Sequence, residues 1–280
     1  MYSKQIRDER VFPKISVITV SYNAEDTIAR TLESVVRQSY KNIEYIVVDG
    51  ASTDQTVDIV NRYRQQIHMI LSEPDDGIYD AMNKGIRYAS GDYLYFLGAD
   101  DWLCDCEVIR MVADFMAAHL GFSFYMGNVF LYESVHRLVK RKRPGASAED
   151  MKRGEMCPHQ GLFTSRRLMQ EGFDTRYQLA ADYELLLRHI MRGETYCLMD
   201  VDVAYYSLFG ASAEHSLYDE YITIIRQYAG DEYLDRIYKI REKDTDESSF
   251  RSRIKSLLMG LLGEKRFLCL QGWKNFDGTL

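Results

Sequence analysis

Apolar positions follow two rhythms along the first hundred residues. Residues 15–21 (ISVITVS), 43–48 (IEYIVV), 67–71 and 92–97 (DYLYFL) are short runs rich in β-branched and aromatic side chains, suited to buried parallel strands. Between them the apolar residues recur at helical spacing. They are Ile28, Leu32, Val35 and Val36 within 25–39, then Val57, Val60 and Tyr63 within 53–65. A third stripe, within 78–89, holds Ile78, Ala81, Met82, Ile86 and Ala89. Ser52, Thr53 or Asp54 is placed to cap the second helix. Strand and helix in strict alternation predict βαβ units and a mostly parallel central sheet flanked by helices, an α/β fold of Rossmann-like type.

The second half is less regular. Residues 122–132 and 135–141 read as extended segments able to form a hairpin, and 182–192 (DYELLLRHIMR) as an amphipathic helix. Residues 195–206 are strand-like again, and from 217 onward the chain reads as helices. No Pro/Gly/Ser-rich linker interrupts it. The expected organisation is a catalytic domain over 1–215, with halves 1–105 and 106–215, followed by a helical C-terminal extension over 216–280.

Composition narrows the function. A chain of 280 residues with 46% hydrophobic and 28% charged residues fits a globular protein with a large core. A net charge of −7 argues against nucleic acid as a partner, which would want a basic face. It leaves room for an anionic ligand whose charge a metal ion offsets locally. The five cysteines, at 104, 106, 157, 197 and 269, form no CxxC pair and read as reduced thiols of a cytoplasmic protein. Cys104 and Cys106 lack the companion ligands of a metal site. The N-terminal residues lack the apolar stretch of a signal peptide, and no run reaches the length of a membrane span. Tyrosine, 21 residues of it, is abundant enough to suggest a surface that meets polar rings.

The chemistry gathers at strand ends. In an open parallel sheet ligands bind beyond the carboxyl ends of the strands. Three of the four strands end in polar or acidic clusters: Ser21-Tyr22-Asn23, Asp49-Gly50, and Asp100-Asp101. Several carboxylates in one cleft suit Mg²⁺ or Mn²⁺, and such a cation could hold a diphosphate and offset the charge growing on it.

Residues 15–56 (ISVITVSYNAEDTIARTLESVVRQSYKNIEYIVVDGASTDQT) and then 75–103 (DDGIYDAMNKGIRYASGDYLYFLGADDWL) closely resemble bacterial family-2 glycosyltransferases of the surface-polysaccharide type. The resemblance continues more thinly through CPHQGLFTSRRLM and AADYELLLRH and fades beyond about residue 210. It implies the glycosyltransferase-A fold and inverting transfer from a nucleoside-diphosphate sugar, usually UDP-linked, to a saccharide or lipid-linked acceptor. On the matching positions it places Val20, Ser21 and Tyr22 against the base and ribose. Asp49 would bond the base or ribose, Asp76 and Gly77 would line the sugar-nucleotide, and Asn83 and Lys84 would follow one to two turns later. It implies metal and donor contacts for Asp100 and Asp101, the acceptor side for His159 and Gln160, and the general base for Asp182.

Two departures from the family pattern stand out. Gly98 occupies the position of a further acid or Asn, so the motif is GADD, and Ala181-Asp182 stands where Glu-Asp is frequent. Several residues carry a plainer reading beside the functional one. Asp49 could be a turn former with Gly50, Asp54 a helix cap, Asp75 a solvated acid, Asp76 and Asp182 acids favoured at helix starts, and Lys84 a surface lysine. His159 could pack a loop, and His215 could be a solvated histidine or a metal or diphosphate ligand. The KRKR run at 140–143 is a solvated face or an anionic-lipid contact. The basic and leucine-rich 250–273 segment suits a membrane surface, packing on the catalytic domain, or a homodimer contact equally.

Two rival functions differ in class. A nucleotidyltransferase should show a Gly-rich, lysine-containing loop after the first strand, and SYNAEDT has neither. A non-catalytic sugar-nucleotide-binding protein would bind UDP with metal yet transfer nothing.

Overall fold

The first strand, β1 (Ile15–Ser21), is buried at all seven positions, which explains its unbroken apolar run. The computed structural model describes residues 12–145, 147–208, 216–245 and 264–276. In β1, Ile18 and Val20 face one core while Ile15 and Val17 face the other, the two-residue period of a strand covered on both sides. Strands β2 (Ile43–Asp49), β3 (Met69–Ser72) and β4 (Tyr93–Gly98) join it in the parallel order β3-β2-β1-β4. Helices α1 (Ile28–Val36) and α2 (Thr56–Arg62) connect the strands on one side, and α3 (Ile78–Tyr88) on the other.

The helices differ from expectation at their starts. Helix α1 begins at Ile28 rather than 25, because the chain before it is bound to the loop after β2. Ala24 N–H donates to Thr56 Oγ1 at 2.7 Å, Glu25 N–H donates to Asp54 Oδ2 at 3.1 Å, and Gln55 N–H donates to Glu25 Oε2 at 2.8 Å. The other oxygen of Asp54 accepts from the N–H of Thr56, the first residue of α2, at 3.0 Å, so Asp54 braces the helix start from one residue before the N-cap, Gln55. In α3 the buried face is Tyr79, Ala81, Met82, Lys84 and Gly85, and Ile78 is 41% exposed. The expected inward Ile78 therefore stands at the surface, where cavities form.

The second half extends the sheet with mostly antiparallel pairings. Beyond β5 (Trp102–Leu103) and α4 (Val108–Ala118) comes β6 (Phe124–Glu133), which forms the expected hairpin with β7 (Leu138–Lys142). A short helix, α5 (Ala148–Lys152), follows, and then β8 (Leu162–Ser165) inserts antiparallel between β4 and β6, welding the two halves into one sheet. Helix α6 (Ala181–Met191) and β9 (Tyr196–Ser207) complete this half, with β9 parallel to β6 and antiparallel to β5.

The extension is helical in α7 (Ser216–Tyr228), α8 (Asp235–Thr245) and α9 (Glu264–Leu270), then adds a strand, β10 (Lys274–Asn275), to the edge of β7. Phe276 follows it and packs on Trp102, Tyr132 and Tyr205 at centroid distances of 6.1, 5.3 and 5.2 Å. Helix α7 is built into the body of the molecule, with Ile222, Ile224 and Ile225 buried in the core beside α6. His215 and residues 250–263 lie outside the described residues. Among the described residues no helix is long and apolar enough to cross a membrane.

Candidate active site

The ends of β1 and β4 and the start of α3 enclose a cavity of about 500 Å³. Val20, Ser21, Tyr22, Gly77 and Asp100 line it as expected, with Tyr22 66% exposed across its mouth. Gly77 turns the chain into α3 with φ of 113°, a conformation that suits glycine.

Asp49 does not line this cavity. It is wholly buried, and Ser21 Oγ, Ser52 N–H, Ser52 Oγ and Ser72 Oγ donate to its carboxylate at 3.1, 2.9, 2.5 and 2.9 Å. These four donors use its lone pairs to tie the ends of β1, β2 and β3 together beneath the cavity. The acid in the wall is Asp75, not the expected Asp76. Asp75 Oδ2 lies 2.4 Å from where a side chain on Gly50 would begin, so glycine there is what admits it. Asp76 is exposed and its N–H donates to Asp80 Oδ2 at 3.2 Å. Asn83 also lies elsewhere, exchanging hydrogen bonds with the backbone of Phe173 at 2.9 and 2.8 Å. Lys84 is buried, pairs with Glu73 and Asp80 at 3.2 and 3.3 Å and donates to Pro74 O, so it locks the loop before α3.

Asp100 and Asp101 follow β4 directly but face different surroundings. Asp100 is in the cavity wall, whereas Asp101 is only 2% exposed and accepts from Ser207 N–H at 2.9 Å and Gln160 Nε2 at 2.8 Å. Burial raises the proton affinity of both, and with Asp100 beside it Asp101 is pushed up to about 6. The absent acid at 98 has a steric reason. A Cβ there would sit 2.8 Å from Asp101 Oδ2 and 3.1 Å from Asp100 Oδ1. Behind the pair, Thr31 Oγ1 lies 2.9 and 2.6 Å from the carbonyls of Ala99 and Asp101. Arg30 stacks on Trp102 at 3.5 Å and donates to Asp100 O at 3.1 Å.

A second cavity of about 270 Å³ opens between α3, α6, α7 and the 156–160 segment, and it shares Ile78 with the first. Asp182, His159 and Gln160 line it. Asp182, in the first turn of α6, accepts from Tyr79 Oη at 2.9 Å and from Tyr183 N–H at 2.8 Å. Its other oxygen is 3.2 Å from His159 Nδ1. Burial works against a charged His159, but Asp182, Asp101 and Asp100 outweigh it and raise the proton affinity of the imidazole. Beside it, burial and Asp182 keep the Tyr79 phenol protonated as a donor. The start of α6 is fixed from α7: Glu220 accepts from the N–H groups of Gln178, Leu179 and Ala180 at 2.8, 3.0 and 2.8 Å.

The two cavities share Ile78, and Asp100 in the wall of one is connected to Asp182 in the wall of the other through Asp101, Gln160 and His159. The sequence reading missed Asp75, Tyr79, Tyr206 and Tyr221 as lining residues. Tyrosine abundance was the only signal for the last three. Among the described residues no three His, Cys, Asp or Glu side chains converge as a closed metal site. What is present fits a hard cation that keeps most of its shell as water or ligand oxygen. Asp100 offers an oxygen donor, and the raised proton affinity of the pair marks negative charge that a cation would stabilise.

A family model described as glycosyl transferase family 2 matches residues 16–172. A PGL/p-HBAD biosynthesis glycosyltransferase of Mycobacterium tuberculosis is 32% identical over 206 residues, 71% of this chain and 78% of its own length. A putative teichuronic acid biosynthesis glycosyltransferase of Bacillus subtilis, TuaG, is 40% identical over 116 residues, 40% of this chain and 46% of its own. Among solved structures, residues 1–349 of S. aureus TarS in complex with UDP-GlcNAc superpose with a TM-score of 0.65 at 18% identity. That match covers 84% of this chain and 74% of TarS 1–349.

Proposed function

The chain belongs to glycosyl transferase family 2, and from that premise we propose that it transfers a sugar with inversion from a UDP-sugar to a saccharide hydroxyl in cell-surface polysaccharide synthesis. It is a glycosyltransferase and has the glycosyltransferase-A fold. The strand-end cavity is the donor side and the α6 cavity the acceptor side. The observation that carries this reading is their meeting at Ile78, with Asp100 in one wall and Asp182 in the other.

In the donor cavity Tyr22 is placed to cover the base, and Ser21, Gly77 and Asp75 to meet ribose or phosphate. Asp100 would hold Mn²⁺ or Mg²⁺, with Asp101 supporting it from behind, and the bound ion supplies positive charge to the departing diphosphate. In the acceptor cavity Asp182 takes the proton of the acceptor hydroxyl as its oxygen attacks the anomeric carbon. Tyr79 and His159 hold the carboxylate in one orientation, and His159 interacts electrostatically with Asp182, Asp101 and Asp100 alike. Holding both substrates in adjoining cavities removes the entropic cost of bringing them together. The test is a screen of nucleotide-sugars for metal-dependent thermal stabilisation, followed by release of UDP from those that bind. If no nucleoside-diphosphate sugar stabilises the protein with or without Mn²⁺, the reading is wrong.

A further inference from the structure

The acceptor cavity carries a positive charge that the transfer step does not use. Lys142, the last residue of β7, lines it, and among the described residues its ammonium has no hydrogen-bond or ion-pair partner. The acids around it are already engaged. Arg236 takes Glu155 at 2.8 Å and keeps a buried Nη1 with no partner among the described residues. Asp182 is held by Tyr79, Tyr183 and His159. On the opposite face of β7, Arg141 is paired with Asp200 and Asp202 at 2.8 and 2.6 Å, so Lys142 alone of these two is uncommitted. Most of the remaining wall is apolar or aromatic: Ile78, Met82, Met156, Leu217 and Tyr221. Lys142 as a whole is exposed, yet desolvation by the surrounding protein draws its proton affinity below the usual lysine value. A cation so placed gains most from a ligand oxygen that carries charge, because no described neighbour holds it in a hydrogen bond or ion pair and Glu155, which attracts it, is already paired with Arg236.

We propose that Lys142 recognises an anionic oxygen group, a carboxylate or a phosphate, on the acceptor saccharide, so that the hydroxyl presented to Asp182 belongs to an acidic or phosphorylated sugar. This rests on reading the α6 cavity as the acceptor side. A volume of about 270 Å³ is below the ~300–1,000 Å³ of sites for drug-sized ligands, so the cavity takes the terminal ring of an acceptor rather than a long saccharide.

Met82 and Met156 both line the cavity and serve as local reporters. Full-length protein with ¹³C-methyl methionine is titrated with D-glucuronate, D-glucose 6-phosphate and D-glucose, for the natural sequence, Lys142→Gln and Arg141→Gln. At least one anionic sugar should shift these two methyls at about fivefold lower concentration than glucose. That preference should vanish in Lys142→Gln and persist in Arg141→Gln. A response to glucuronate alone names a uronic acid acceptor, and one to the phosphate alone names a phosphorylated acceptor. Equal titration by the neutral and charged sugars, an unchanged preference in Lys142→Gln, or no response to any of the three overturns the proposal. UDP with Mn²⁺ is added to the same samples and followed by thermal shift. Stabilisation by UDP without an anion preference sinks only the Lys142 assignment, whereas failure of UDP and every UDP-sugar to bind removes the functional reading beneath it.

Discussion

The side-chain amide of Gln160 donates to Asp101 at 2.8 Å, joining the residue next to His159 in the α6 cavity to the residue next to Asp100 in the strand-end cavity. Asp101 is almost fully buried, and among the described residues its carboxylate accepts from this amide on one oxygen and from Ser207 N–H on the other. Replacing Gln160 with Ala leaves a buried carboxylate oxygen without a donor. The expected loss is about 1–3 kcal/mol of stability, with a higher Mn²⁺ concentration needed for half-maximal transfer. Denaturant unfolding and a metal titration of UDP release measure the two effects separately.

Asp182→Asn keeps the shape of the side chain and its hydrogen bond from Tyr79 but removes the carboxylate proposed to take the acceptor proton. Transfer should fall by about 10²–10⁴-fold, while UDP-sugar binding by thermal shift stays within error of the natural sequence. Near-normal turnover would remove Asp182 from the role.

Metal binding should compete with protons. Folding raises the proton affinity of Asp101, so the metal-free protein is favoured with that group protonated and loses stability as pH climbs through about 6. A divalent cation needs the ionised form. The thermal shift caused by Mn²⁺ should therefore be largest at neutral or higher pH and fade below about 6. A shift independent of pH across that range would place the ion elsewhere.

Acid stability should depend on Glu44, far from the site. Burial alone would raise its proton affinity, but Lys14 Nζ, Ser16 Oγ, Ser90 N–H and Ser90 Oγ donate at 2.8, 2.6, 2.6 and 2.7 Å and hold it down to about 2. A depressed carboxylate contributes stability above its unfolded value and loses it as pH falls toward the folded one. That contribution is on the order of 2–3 kcal/mol. Glu44→Gln should thus unfold more readily at pH 7, and its stability should change less between pH 4.5 and 2 than that of the natural protein. Urea midpoints over that range give the comparison.

Glu220→Ala releases three backbone N–H groups at the start of α6. It should cost about 2–3 kcal/mol and lower kcat more than it raises KM for the donor, because it frees the turn that presents Asp182. An unchanged kcat in folded protein would show that α6 is held without α7.

How much of this the sequence disclosed depends on the distance between partners along the chain. Residues 15–103 repeat a strand-helix rhythm, the rule that ligands gather at strand ends pointed to Ser21, Tyr22 and Asp100, and the family resemblance added Val20; all four line the strand-end cavity. Adjacent acids were beyond it. Asp75 and Asp76 differ only in which way the turn at Gly77 directs them, and Asp100 and Asp101 only in which is tucked behind Gly98. Asp49 looked like a ligand because nothing in its surroundings showed that serines from three strand ends would converge on it. Gln160 and Ser207 meet Asp101 from 59 and 106 residues away, and no local pattern encodes such a meeting. The start of α1 was misplaced for the same reason, since its first residues answer to the loop after β2.

Phe276 closes a ring of aromatic side chains around Trp102, the residue after Asp101, and Arg30 stacks on the same indole. The stretch recognised by the family model stops at 172, yet Asp182, Ser207, Glu220 and Phe276 all lie past it. Replacing Phe276 is therefore expected to unbrace the acidic turn from behind, because the two lie far apart in sequence but one aromatic layer apart in space.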